Sequence, residues 1–484
     1  MRAVPFVAML VAAANLSAAM EETVLADLPT DRLATESIQR AIDAKSASGG
    51  GTVTVPAGVY TTGSVWLKDG VTLRLARGCV LQGSTNYLDY ATFRSFVPDE
   101  SEFLIRKNAQ SSLDQMRAIV SAICATNVAL TGEGRIDGRG WAAYRAGRHS
   151  GSPDRWRDAA FFRCRNVRVE GVTLENAASW TLFFRECENV VARGLRIDGH
   201  ANFNNDGIDI DAKNVLIEDC RIDSDDDAIC LKSHNPAYVV ENIEVRNCRV
   251  SSNCNFLKLG TAGYGGFKNV RIHDCTLVPC RMSKFRFWDR VPNLVWAGIA
   301  EPVSGRAAIA LEVPDGGRLE NVRISGIDFT AGGVQTPILI RLGRRHANPD
   351  GCPARLEGVV IENVKGRAIS YIASSITGVP GLRPKDITIR NCAFELKAGC
   401  PADLAARKVP EMERRYPENG MFDTPLPAYG FYLRHCDGVR FENVTLTPVG
   451  GEEMRPPYVQ DDCTGVRRTE EFVGARTPSK TRLN

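Results

Sequence analysis

Asn214-Val215-Leu216-Ile217-Glu218-Asp219-Cys220, Asn242-Ile243-Glu244-Val245-Arg246-Asn247-Cys248 and Asn269-Val270-Arg271-Ile272-His273-Asp274-Cys275 are copies of one short unit. Earlier copies begin at Asn166 and Asn189, so the five starts are separated by 23, 25, 28 and 27 residues. Looser copies follow at Asn321-Val322-Arg323-Ile324, Asp386-Ile387-Thr388-Ile389-Arg390-Asn391-Cys392 and Gly438-Val439-Arg440-Phe441, with longer insertions between them. Within each copy apolar and polar residues alternate, the period of a half-buried strand and not of a helix. Strands this short cannot bury a face alone and must stack coil upon coil. The expected fold is all-β: a single-stranded right-handed parallel β-helix, with equivalent positions of adjacent coils about 4.8 Å apart.

Composition suits that architecture. Hydrophobic residues make up 44% of the 484 residues and there are 43 glycines, as expected for a strand-and-turn solenoid with a large core. A solenoid grows by adding coils, so the length implies one elongated domain, residues 20–466, and not several. The net charge of +3 is too small to point to nucleic acid or a membrane surface.

The ends read differently. Arg2, the apolar stretch Val4 to Ala14 and the small residues Ser17-Ala18-Ala19 form the pattern of a signal peptide over residues 1–19, too short for a bilayer span, so a secreted or periplasmic protein is expected. Ala34 to Lys45, with Ile38, Ala41 and Ile42 on one face, is expected to form a short amphipathic helix capping the core. Residues 467–484 are polar and aperiodic, a flexible tail. There are 15 cysteines, and Cys220, Cys248 and Cys275 recur at one place in the repeat, which favours stacked buried thiols over a disulfide framework. No Cys-x-x-Cys or His-rich spacing points to zinc, and neither a metal nor another cofactor is expected.

The chemistry-bearing residues lie in two short acidic stretches. Asn204-Asn205-Asp206-Gly207 precedes the run Asp225-Asp226-Asp227 by about twenty residues, roughly one coil. Acids distant in sequence are thereby made neighbours. Crowding raises the pKa of at least one of them, which keeps a proton available beside an ionised partner, the layout of an acid/base site. A polar ladder of solvated aspartates at coil turns is the plain alternative.

The chain from about Leu33 to Val466 resembles family 28 of the glycoside hydrolases, the polygalacturonase-like enzymes. The resemblance rests on Gly49-Gly50-Gly51-Thr52-Val53-Thr54-Val55-Pro56-Ala57-Gly58, on Gly134-Arg135-Ile136-Asp137-Gly138-Arg139-Gly140 and on the two acidic stretches. It implies a right-handed parallel β-helix, inverting hydrolysis of a pectic polysaccharide or oligosaccharide, and catalytic residues Asp206, Asp226 and Asp227. By that match Asp226 is the general acid, and Asp206 and Asp227 hold and deprotonate the attacking water; Asp225 is the alternative to Asp226 if the register shifts by one.

Two departures bear on substrate. The family carries Gly-His-Gly one coil on, where this chain reads Ser252-Asn253-Cys254-Asn255-Phe256-Leu257-Lys258-Leu259-Gly260-Thr261 without a histidine, with Asn255 at the histidine position. The family carries Arg-Ile-Lys where this chain has Ala308-Ile309-Ala310. Cations from other strand ends, Lys232, Lys258 and Arg341, are candidates to replace that pair, each with a solvated surface charge as the competing reading. With Asn204 and Asn255 they complete the expected substrate contacts. Arg281 to Trp296, with Phe285, Phe287, Trp288 and Trp296, is either a sugar-stacking segment or a self-packed loop. The segment from Pro410 through Tyr416 to Gly430 is a second candidate wall. His234 and His435 are expected to be structural. A monomer is expected, with no nucleic-acid partner. Two rivals remain: a calcium-dependent pectate-lyase-like β-elimination, and a non-catalytic carbohydrate-binding β-helix.

Overall fold

The computed structural model describes residues 21–102, 110–149, 151–281, 296–299, 305–347, 351 and 353–469. Among them, 29 strands join in one hydrogen-bonded network in which the strand pairings are parallel. The chain winds through short strands and turns, each coil lying on the last, into a right-handed parallel β-helix.

The repeat explains the stack. Its first apolar position forms one continuous column, Val167, Val190, Val215, Ile243, Val270, Val322, Val359, Ile387 and Val439, each in register with the next. All nine are buried. The asparagine that opens each unit has a separate cause. Asn166, Asn189, Asn214, Asn242 and Asn269 have φ between 54° and 60°, the left-handed region that asparagine tolerates better than other residues with a Cβ. Their amides form a ladder, Nδ2 of each donating to Oδ1 of the one before: Asn189 to Asn166 at 2.9 Å, Asn214 to Asn189 at 3.0 Å, Asn242 to Asn214 at 3.0 Å and Asn269 to Asn242 at 3.1 Å.

Helix α1, Thr35–Ala47, covers the first coils with Ile38 and Ile42 buried and Ala41 partly so. All 14 described cysteines are free thiols, and Cys220, Cys248 and Cys275 are stacked in the core. The stack runs beyond the expected tail boundary: Arg467–Thr469 forms a last strand in register with Arg440, Phe441 and Glu442. The alternation there was obscured because an edge strand of three exposed residues has no apolar face to show. The expected signal peptide, the rest of the tail and residues 282–295 of the aromatic segment Arg281 to Trp296 lie outside the described residues.

Candidate active site

Three successive turns build the site. Asn204–Gly207 precedes the strand Ile208–Glu218, Asp225–Ala228 precedes Ile229–Ser233, and Asn253–Phe256 precedes Leu257–Gly263. The turns are hydrogen-bonded in file: Gly207 N donates to Asp227 O at 2.9 Å, and Ala228 N to Asn255 O at 2.9 Å. A Cβ on Gly207 would meet Ala228 O at 2.4 Å, so only glycine allows this approach. Asn205 staples the first turn: its Oδ1 accepts from Ala201 N and Asn202 N, and its Nδ2 donates to Ala177 O and Ser179 O.

This arrangement brings Asp206, Asp226 and Asp227 together, all buried. Asp225 points elsewhere, with Oδ1 at 3.0 Å from His200 Nδ1 and accepting from Asn253 Nδ2 at 2.5 Å. The two adjacent acids have unlike surroundings. Asp226 accepts from Asn204 Nδ2 at 3.3 Å and from Asp227 N at 2.9 Å. Burial, and then the charge of Asp227, push its carboxyl up from the ordinary range. Asp227 is equally buried, but Lys258 Nζ lies 2.8 Å from its Oδ2, while Asn255 N and Nδ2 donate to its Oδ1 at 3.1 and 2.8 Å. Burial is outweighed there by Lys258, Lys232 and these hydrogen bonds, and the Asp227 carboxyl falls to about 2.

Lys232 Nζ lies between two carboxylates, 3.2 Å from Asp206 Oδ2 and 3.1 Å from Asp209 Oδ1, and 4.6 Å from the centre of the Trp180 ring. One ammonium cannot balance two buried acids. Burial and mutual repulsion raise Asp206 well above its usual range, and burial lifts Asp209 to about 6. Lys258 is shared in the same way: besides Asp227 it stands 3.6 Å from Glu312 Oε2 and donates to Tyr416 Oη at 3.2 Å. Burial raises Glu312 to about 8.

The expected substrate contacts separate into groups. Asn204, Lys232, Asn255 and Lys258 surround the three aspartates, and both lysines are buried, so neither is a solvated surface charge. Lys258 is in register with Ala310, the place where the family resemblance expects the lysine of Arg-Ile-Lys; the ammonium is present in the same column, one coil earlier. Arg341 is a correction. Its guanidinium donates to Gly378 O at 2.7 Å and to Glu411 O and Met412 O at 3.0 Å each, which commits it to tethering the 410–417 segment. That segment brings Tyr416 to Lys258 and Thr261, and Glu418 to Arg306. His234 and His435 are held by acids, His234 by Asp211 and His435 by Asp462 and Glu411.

Sequence reasoning missed Asp209, Glu312, Tyr416 and Arg155. Arg155 Nη2 donates to Asn204 Oδ1 at 3.2 Å and Nη1 to Phe203 O at 2.6 Å, fixing the turn that carries Asp206. Asp209 was open to detection: in Ile208-Asp209-Ile210 the alternation puts it on the outer face, beside Lys232 in the next coil. Arg155 and Tyr416 come from long connections with no periodicity, and carry no such signal.

Comparison with known proteins agrees with this geometry. The model of "Glycosyl hydrolases family 28" matches residues 47–283. Over those residues the chain matches family 28. An exo-poly-alpha-D-galacturonosidase of Dickeya chrysanthemi is 27% identical over 238 residues, covering 41% of this chain and 39% of the relative. A probable polygalacturonase of Vitis vinifera is 26% identical over 262 residues, covering 51% and 52%. The matches thus span about half or less of these curated relatives. Among solved structures, an exopolygalacturonase of Thermotoga maritima superposes with a TM-score of 0.62 at 22% identity, covering 88% of this chain and 92% of the other. A family 28 exopolygalacturonase of Yersinia enterocolitica gives 0.64 at 16% identity, covering 93% and 78%. At these identities the superpositions establish the fold.

Proposed function

We propose that this chain hydrolyses glycosidic bonds in galacturonic-acid-containing polysaccharide or oligosaccharide, with inversion at the anomeric carbon. The carrying observation is the divergence of two adjacent buried carboxyls, Asp226 pushed up and Asp227 held at about 2. An acid that holds its proton more tightly than the base beside it is the pair that inverting hydrolysis uses. Asp226 donates its proton to the glycosidic oxygen as the bond to the anomeric carbon breaks. Water attacks that carbon from the opposite face and loses its proton to Asp227, with Asp206 holding the water. The acid and base return to their starting states when a proton passes from Asp227 to Asp226 through solvent. Asn204 and Asn255 orient the two acids through the bonds described above, and Lys258 keeps Asp227 ionised.

The charge balance supports hydrolysis over calcium-dependent elimination. Lys232 and Lys258 already stand against the oxygens of Asp206, Asp209 and Asp227 that a hard cation would take. A purely binding role leaves the two unlike carboxyls without a purpose, whereas such pairs are common at reacting centres. Export through the leader at residues 1–19 belongs to the same reading, and N-terminal sequencing of protein recovered outside the cytoplasm checks it.

The test is product analysis on homogalacturonan, rhamnogalacturonan backbone and branched pectic oligosaccharides. New reducing ends in the inverted anomeric form, read by proton NMR in the first minutes, are expected on at least one of them. An unsaturated, ultraviolet-absorbing product would establish elimination, and binding without turnover on the whole panel would establish the non-catalytic alternative.

A further inference from the structure

A second cluster lies beneath the acidic turns. His200 follows the strand Arg196–Gly199, Asp223 lies in Arg221–Ser224 on the next coil, and Cys280 follows the strand Phe267–Leu277 two coils further on. Three ligand atoms converge there. His200 Nε2 is 2.9 Å from Asp223 Oδ1, Cys280 Sγ is 3.0 Å from the same oxygen, and Sγ and Nε2 are 3.8 Å apart. His200 and Cys280 are buried, and Asp223 is partly exposed. No other trio of histidine, cysteine and acid among the described residues brings an imidazole, a thiol and a carboxylate this close together.

We infer that His200, Asp223 and Cys280 form a binding site for zinc or a zinc-like divalent ion. Zinc takes imidazole, thiolate and carboxylate at about 2.0–2.3 Å in tetrahedral geometry. A point at such distances from all three atoms lies just above the plane of the triangle they form. The imidazole carries the support that metal-ligating histidines need: its other nitrogen, Nδ1, is 3.0 Å from Asp225 Oδ1, and Asp225 is buried and held by Asn253 Nδ2. A small turn of the ring would aim Nδ1–H at that carboxylate and leave Nε2 for the ion. A divalent ion with one thiolate and one carboxylate is neutral, which suits the neighbouring Arg281, 3.7 Å from Asp223 Oδ2. Of the three ligands, Asp223 borders the groove lined by Arg249, Ser251 and Arg281, from which an ion would enter.

In the metal-free state the Cys280 thiol and the His200 Nε2–H both donate to Asp223 Oδ1, so entry of the ion releases one proton from each when the imidazole is doubly protonated. The sequence carries no zinc spacing because the three ligands come from three coils. The ion would clamp those coils and, through Asp225, the turn that carries Asp226 and Asp227. This inference does not depend on the reaction proposed above.

Full-length protein, stripped of metal and kept reduced, is titrated with cobalt(II). The expected result is a thiolate-to-cobalt charge-transfer band in the near ultraviolet that saturates at one equivalent, is displaced by zinc, and accompanies a zinc-dependent rise in Tm. Cys280→Ser and Asp223→Asn each remove the saturable band, and Asp225→Asn weakens zinc binding by about 10- to 100-fold, as loss of a supporting carboxylate does. Cys124→Ser, at an exposed thiol, leaves the band intact. Circular dichroism establishes which variants are folded, and either ligand variant alone decides the outcome. A wild-type protein without a band at stoichiometric cobalt, or a band unchanged in folded Cys280→Ser or Asp223→Asn, overturns the assignment.

Discussion

Lys258 Nζ lies 2.8 Å from Asp227 Oδ2, a buried ammonium set against a buried carboxylate across one coil step. The pair explains how the site holds a strong acid and a weak acid at consecutive positions. Asp227 takes the cation and two further hydrogen bonds from Asn255, whereas Asp226 takes two bonds and the repulsion of its neighbour. Unlike environments, and not unlike residues, separate their roles.

Replacing Lys258 by Met keeps the volume and removes the charge. The Asp227 carboxyl then rises, because the cation that outweighs its burial is gone. The acid limb of the kcat/KM profile is expected to shift to higher pH, with turnover at the wild-type optimum lower by about 10- to 100-fold. An acid limb that stays in place would mean that Asp227 is not the group controlling it.

Asp226→Asn is the direct test of the general acid. The single amide oxygen can keep accepting from Asp227 N, the bond from Asn204 Nδ2 is lost because an amide nitrogen cannot accept it, and no acidic proton is available to deliver. A fall in kcat of about 10²- to 10⁴-fold with little change in Tm is expected, and substrates whose leaving group needs no protonation should lose much less. Wild-type turnover in a folded variant would move the acid to another residue.

Much of this was legible beforehand, for identifiable reasons. The Val215 and Ile243 positions announce themselves because a two-residue period survives in any strand with one buried face. Asn214 and Asn242 recur because the left-handed turn and the amide ladder both select asparagine. Asp206 and Asp226 were paired by coil length alone. Arg341 failed for the opposite reason: a basic residue at a strand end looks the same in sequence whether it meets a substrate or three backbone carbonyls. Tyr416 reaches Lys258 from 158 residues away, through a connection without repeat geometry.

Glu312 makes a prediction about stability and pH. Burial raises its pKa from 4.5 to about 8, so between those values the folded chain binds more protons there than the unfolded chain. Stability therefore falls as pH rises through that window. Glu312→Gln removes the titration, and its Tm relative to wild type is expected to improve steadily from pH 5 to pH 8. A constant Tm difference across the window would show that Glu312 stays ionised throughout.

The last prediction separates the two causes of the asparagine ladder. Asn214 has φ of 57°, accepts from Asn242 Nδ2 and donates to Asn189 Oδ1, both at 3.0 Å. Asn214→Gly removes both side-chain bonds but keeps the left-handed turn unstrained. Asn214→Ala removes the bonds and adds roughly 1 kcal/mol or more of backbone strain. Both variants should melt below wild type, the alanine variant lowest, with the gap between them reporting strain and the gap from wild type to glycine reporting the ladder, less the extra chain freedom of glycine. If alanine and glycine melted together, the turn conformation would not be what selects asparagine, and the repeat would rest on its amide bonds alone.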